Sequence, residues 1–252
     1  MKKIVLINLL FLSHFVSLGQ QIPDQVATQA NLNYQKSRFQ DAISLYNQVL
    51  KMGYESSNLY YNIGNAYYKI KDYTSAVYYY EKALKLEPGN SDARFNLILA
   101  NSSIPDKIDS LPQLFFKKWW NNLLESYSLD EFAIGIIVFF ITALLIFATF
   151  LVTRVRIVKQ FAFWLGMLTL LLAATAGLAA ISQQNRIKVN SSAIIFTSTV
   201  SVKSSPDAIS TDLFVIHEGT KVELLDSLGD WNEIKIANGS KGWIKKEDYK
   251  KI

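Results

Sequence analysis

The sequence predicts a multidomain membrane protein with three kinds of part: α-helical repeats, two transmembrane helices and a small all-β barrel. Three observations carry this. A 34-residue pattern of aromatic and small residues recurs across residues 23–90. Two stretches of 22 uncharged residues, Phe132–Thr153 and Phe161–Ser182, follow it. Beyond residue 190 the short apolar runs take on strand character, with turn residues between them.

The N-terminus reads as a targeting segment over residues 1–19. Lys2 and Lys3 precede the apolar run Ile4–Leu18, and Ser17-Leu18-Gly19 places small residues around a cleavage point. Cleavage and retention as an uncleaved anchor both stay open, and either sends the following domain across the membrane. No cysteine follows the run, which excludes a lipoprotein anchor.

Residues 57–90 carry Tyr60-x2-Ile63-Gly64-x2-Tyr67, then Ala76-x3-Tyr80, Ala83 and Pro88. This is the tetratricopeptide spacing, a helix–turn–helix unit in which small residues let two helices approach and aromatics fill the gaps. A degenerate first copy spans residues 23–56, because Tyr34, Phe39, Ala42, Tyr46 and Leu50 precede Tyr68, Tyr73, Ala76, Tyr80 and Leu84 by 34 residues each. Ala30 stands where Gly64 stands. A capping helix is expected from Ser91, closing a repeat domain of residues 20–104. Such units build concave binding surfaces. The inward positions are Asn31, Tyr34 and Gln35 in the first copy and Tyr61, Asn65, Tyr68 and Lys69 in the second. Amides that grip a peptide backbone and tyrosines that stack suit peptide capture.

Residues 105–131 form an elbow. Phe115, Phe116, Trp119, Trp120, Leu123 and Leu124 share one face of a helix, with Lys117, Lys118, Asn121, Asn122 and Glu125 opposite. Trp119 and Trp120 suit the headgroup level of a bilayer. Two placements stay open: a helix lying in the membrane interface, or one packed back on the last repeat helix.

The spans are expected at 132–153 and 161–182. The loop 154–160 carries Arg154, Arg156 and Lys159 without acidic company, which assigns it to the cytoplasm. The repeats and the C-terminal domain then lie on the outer side, in agreement with the targeting segment. The expected location is the bacterial inner membrane, multi-pass, with both soluble domains periplasmic. Ala173-x3-Gly177 and Ala176-x3-Ala180 offer small faces for helix packing, or reflect alanine-rich composition alone.

Residues 183–252 hold AIIF (193–196), VSVKS (200–204), LFVI (213–216), KVELL (221–225), NEIKIA (232–237) and Gly242-Trp243-Ile244, with Asn238-Gly239 as a type I′ hairpin signal. Five or six strands in this length suggest a small barrel. The run Val200, Val202, Lys203, Ser204, Pro206, then HEGTKV (217–222), GDW (229–231) and GWI resembles the bacterial SH3-like domain. That resemblance implies binding of cell-wall peptides or protein segments. Trp231, Trp243 and Tyr249 are its groove candidates; the opposing reading puts the tryptophan of Gly-Trp in the core. His217 reads as a turn residue.

Composition excludes much else. The chain of 252 residues has no cysteine, two histidines and a net charge of +5. No disulfide, metal cluster, catalytic triad or phosphate loop can be assembled, so neither enzymatic activity nor a cofactor is expected. Residues 20–106 hold eight basic and eight acidic side chains, so the repeats offer no nucleic-acid patch.

The order of parts, with the segments DKIDSLPQLFFKKWW, LFVIHEGTKVELLDSLGDW and GWI, resembles the BatE-type proteins of the Bacteroides aerotolerance operon. The resemblance implies partners from the same operon: von Willebrand A-domain membrane proteins, another repeat protein and a cytoplasmic MoxR-type ATPase. It also implies a role in oxidative stress or envelope maintenance. The expected function is a membrane-anchored protein–protein interaction scaffold in contact with the lipid bilayer. The rival reading is an envelope sensor that binds peptidoglycan through the SH3-like domain.

Overall fold

A computed structural model describes residues 23–109, 111–112, 114–189 and 192–252. The targeting segment at 1–19 lies outside the described residues. Eight helices are seen: α1 (23–35), α2 (Phe39–Lys51), α3 (Ser57–Lys69), α4 (Tyr73–Leu86), α5 (Ser91–Asn101), α6 (Phe115–Ser126), α7 (Leu129–Val152) and α8 (Arg156–Val189). Seven strands follow: β1 (Ser192–Ile195), β2 (Thr199–Lys203), β3 (Asp212–His217), β4 (Lys221–Leu228), β5 (Trp231–Lys235), β6 (Lys241–Lys245) and β7 (Tyr249–Lys251).

The repeat register is written in the local structure. Ser37 and Lys71, 34 residues apart, both take left-handed φ, +58° and +65°, in the turn inside each hairpin. Ser56 caps α3 by accepting from the Leu59 amide, and Asn90, again 34 residues on, caps α5 by accepting from the Ala93 amide. The capping helix α5 therefore keeps the register of a third repeat's first helix. The core between the hairpins holds Ala30, Ala42, Tyr46, Ile63, Ala83 and Ala93. Close approach is extreme at Gly64, where an added Cβ would lie 2.6 Å from the Tyr80 ring.

Helices α7 and α8 are each long and apolar enough to cross a membrane, and almost nothing of either is buried within the protein. They form a hairpin. Ser128 and Glu131 make a reciprocal capping box at the start of α7. The turn between the helices is only residues 153–155, shorter than the expected loop 154–160, because the helix already takes in Arg156. The seam of α8 runs through Ala162, Thr169 and Ala173, which are buried, and Gly166, where an added Cβ would lie 3.3 Å from Ile146. Gly177 faces open space, so the pair Ala173-x3-Gly177 read in the sequence lies in the seam only through Ala173.

Helix α8 continues past the expected end at Ser182. Gln183 is buried and donates through Nε2 to the Tyr127 carbonyl at 2.9 Å and the Leu124 carbonyl at 3.4 Å. These carbonyls close the end of α6, so the extra turn of α8 holds the elbow. Leu124, Phe132 and Ala179 form the contact, with Trp120, Leu123 and Ala180 around it. Half of the amphipathic face thus packs on the neighbouring helix α8, a placement neither sequence reading named. The other half stays open: Phe115 is 84% exposed and Trp119 65%. The polar side of α6 meets the last repeat helix through Arg94, 3.0 Å from Glu125.

The C-terminal domain is one antiparallel sheet in the order β3-β2-β6-β5-β4-β1-β7, coiled around a core that includes Ile195, Val202, Ile216, Val222, Ile234 and Ile244. It is not the closed barrel expected. β3 pairs only with β2 and β7 only with β1, leaving two edges. β7 was not read from the sequence; two of its three residues are exposed lysines. The hairpin at Asn238-Gly239 is also not type I′. Asn238 lacks positive φ, Gly239 has φ +90°, and the Ile236 amide donates to the Ser240 carbonyl at 3.0 Å. That makes a three-residue loop ending in a left-handed glycine.

The sheet docks on the convex side of the repeats, against α4. Ala76, Val77, Tyr80, Ala100 and Ile194 form a shared cluster. Tyr78 meets Phe196 edge-on at 5.6 Å between ring centres. Lys221 pairs with Glu81 at 2.6 Å, and Lys85 donates to the Ile252 carbonyl at 2.6 Å.

Candidate peptide-binding groove

The concave side of the repeats holds a cavity of about 280 Å³ lined by Tyr34, Tyr61, Asn65, Tyr68, Lys69, Tyr80, Asn96 and Leu99. Five residues read as inward positions meet there: Tyr34, Tyr61, Asn65, Tyr68 and Lys69. Asn31 and Gln35 are exposed on α1 and do not line this cavity. No residue of the docked sheet lines it either, so both domains coexist with an open groove.

A hydrogen-bond unit is used twice along the repeats, and its second copy lies at the cavity. Tyr46 donates to Asn31 Oδ1 at 2.6 Å, and Asn62 Nδ2 approaches the same oxygen at 3.4 Å. One repeat later, Tyr80 donates to Asn65 Oδ1 at 2.7 Å, and Asn96 Nδ2 donates to it at 2.8 Å. All three residues shift by 34. Each asparagine oxygen therefore ties its own helix to the second helix of the hairpin and to the first helix of the next. Burial raises the pKa of Tyr34, Tyr46 and Tyr80, that of Tyr46 to about 12, so these hydroxyls stay protonated.

With its oxygen taken by Tyr80 and Asn96, the Asn65 amide has its Nδ2 left to offer at the cavity. Tyr61 and Tyr68 add flat aromatic area, and Lys69 is the single charged side chain lining the cavity among the described residues. The set suits a peptide with exposed carbonyls and at least one acidic group. It brings no nucleophile with a base. The sequence reading did not name Asn96 or Leu99 and took Tyr80 only as a packing residue of the repeat, not as a lining one. Shifting Asn62 by the repeat length lands on Asn96, which is the signal that finds it.

The C-terminal candidates divide. Trp231 and Trp243 are half-buried on the outer face of β5 and β6. Trp231 pairs with Lys245 and Trp243 with Glu233, which sets the two indoles diagonally on adjacent strands. Tyr249 is not beside them. It is 8% exposed, inside the core, with its hydroxyl 3.0 Å from Asn232 Oδ1. It occupies the inward parity of β7, so it pins the sheet edge rather than lining a groove.

Residues 57–90 match the tetratricopeptide repeat family, and residues 198–249 match the bacterial SH3 domain family. No curated protein matches the chain. The protein thus carries a protein-interaction repeat and a domain type that points to the cell envelope.

Proposed function

We propose that this chain is a membrane-anchored scaffold, not an enzyme, whose repeats clasp a segment of another protein. The groove at the second Tyr–Asn–Asn unit, with Tyr34, Tyr61, Tyr68 and Lys69 around it, carries this reading. The resemblance to BatE-type proteins suggests the partners: von Willebrand A-domain and repeat proteins of the inner membrane, in an assembly that maintains the envelope under oxidative stress. Exposed Phe115, Phe116 and Trp119 beside the hairpin suit contact with lipid. Affinity capture from membranes tests the groove. Lys69→Glu, on an exposed position, is expected to lower recovery of the captured partner about tenfold, equivalent to ~1.4 kcal/mol. The second reading is wall binding, favoured by the bacterial SH3 match and the paired Trp231 and Trp243. Unchanged capture, with the intact chain instead retained on wall sacculi, would favour it.

The proposed topology has α7 entering and α8 leaving, with both soluble domains periplasmic. Arg154, Arg156 and Lys159 at the turn support this orientation. A reporter active only outside the cytoplasm is expected to work when fused after residue 252 and to fail when fused at 157. Activity at 157 would reverse the topology.

A further inference from the structure

Between the repeats and α6 the chain bends at residues 104 and 105 and then crosses the face of the SH3-like domain without regular secondary structure. Ile104, Asp106 and Ile108 are half-buried, while Pro105, Lys107 and Asp109 are exposed. That is the period of two expected when alternate side chains of an extended chain face one surface. Each inward side chain has its own place. Ile104 lies over Gly219, where an added Cβ would come within 2.5 Å of Ile104 Cγ2, and Gly219 has φ +86°. Ile108 packs against the core of the sheet.

Asp106 between them is received by three donors. Its Oδ2 accepts from the His217 amide at 2.7 Å and the Thr220 hydroxyl at 2.6 Å, and its Oδ1 lies 2.7 Å from His217 Nδ1. An ionised carboxylate only accepts, so Nδ1 is the protonated ring nitrogen. The side chain is 15% exposed. Burial opposes its charge, yet the bonds from Thr220 and His217 hold its pKa below the ordinary carboxylate value. Outside this face, Lys107 Nζ donates to the carbonyls of Asn101, Ser102 and Ile104, fixing the segment to the end of α5.

We propose that the face from His217 to Thr220 is a binding site for an extended segment of the pattern aliphatic-x-Asp-x-aliphatic, and that residues 104–108 are its resident ligand, bound in cis. The three donors form a carboxylate receptor, and Gly219 and the core edge flank it with apolar seats at the spacing of alternate residues. The Ile104 seat is shared with the repeats, because Ile104 also packs on the cluster of Ala76, Val77, Tyr80, Ala100 and Ile194. Tethering gives the resident segment a high effective concentration, of about millimolar or more. A free segment of the same pattern is therefore shut out until the resident one is weakened.

The test uses the full chain in detergent micelles and a fluorescent synthetic peptide of residues 103–109. Removing the resident acid, Asp106→Ala, is expected to open the site, so that the peptide binds this variant about tenfold or more tighter than the unmodified chain. The peptide carrying its own Asp106→Ala should bind neither chain, and Thr220→Ala added to the opened chain should reduce binding about tenfold, the loss of ~1.4 kcal/mol. If Asp106→Ala fails to fold, Asp106→Asn replaces it under the same criteria. Equal binding by opened and unmodified chains overturns the proposal. So does absence of binding by a folded, opened chain up to millimolar peptide, which would make the segment a fixed part of the domain.

Discussion

Gly64→Ala is expected to destabilise the repeat domain by about 1–2 kcal/mol, and Gly64→Val by more than ~3 kcal/mol. Alanine is the better helix former by roughly 1 kcal/mol, so propensity alone predicts the opposite sign. The clash decides the outcome. An added Cβ would sit 2.6 Å and 2.7 Å from two carbons of the Tyr80 ring. Tyr80 is 1% exposed, lies 6.1 Å from the Tyr61 ring centre and has its hydroxyl tied to Asn65, so it has nowhere to go. The first repeat bounds the effect. Ala30 occupies the equivalent position beside Tyr46 and is fully buried, so a hairpin can be built around alanine when its helices stand slightly apart. That possibility keeps the alanine cost moderate and leaves valine without a remedy. Hydrogen exchange of α3 and α4 amides measures both. Shrinking the obstacle with Tyr80→Leu should abolish the alanine penalty. A penalty of the same size in that background would place the cause elsewhere.

The sequence made some features readable because each rests on local spacing. The repeats follow from residues 34 apart, the two long apolar helices from uninterrupted apolar length, and β1 to β6 from short runs between turn residues. What it hid depends on distant partners. Helix α8 runs on past Ser182 because Gln183 finds carbonyls 56 and 59 residues away. Trp120 turned to α8 and Trp119 outward because the elbow meets a neighbouring helix over only part of its apolar face. Tyr249 looked like a groove aromatic, but parity on a strand too short to show alternation put it inside. Asp106 and His217 are 111 residues apart. No local pattern joins them, although the two segments that hold them, DKID and HEGT, are among those that carry the family resemblance.

The asparagines Asn31 and Asn65 were read as backbone grips for a ligand; the structure places only Asn65 at the cavity and gives both a structural duty. Each Oδ1 accepts from a buried tyrosine hydroxyl, Tyr46 or Tyr80. Asn31→Ala with Asn65→Ala is therefore expected to act in two ways at once. Leaving a buried hydroxyl without an acceptor costs about 1–3 kcal/mol at each site, so the repeat domain loses stability even though alanine favours helix. Loss of the Asn65 amide from the cavity should also weaken partner capture by roughly tenfold, equivalent to ~1.4 kcal/mol. The paired change Tyr46→Phe with Tyr80→Phe separates the duties. It deletes the same two internal bonds from the other side and leaves both amides in place. Removing the donor instead of the acceptor leaves no hydroxyl stranded, so its stability cost is expected to be smaller. If the amides grip the ligand, capture survives the phenylalanine pair and fails in the alanine pair at a temperature where both remain folded by circular dichroism. If capture fails equally in both, the asparagines serve only to hold the three helices in register. The recognition surface would then be the aromatic wall of Tyr61 and Tyr68, whose angle that register sets.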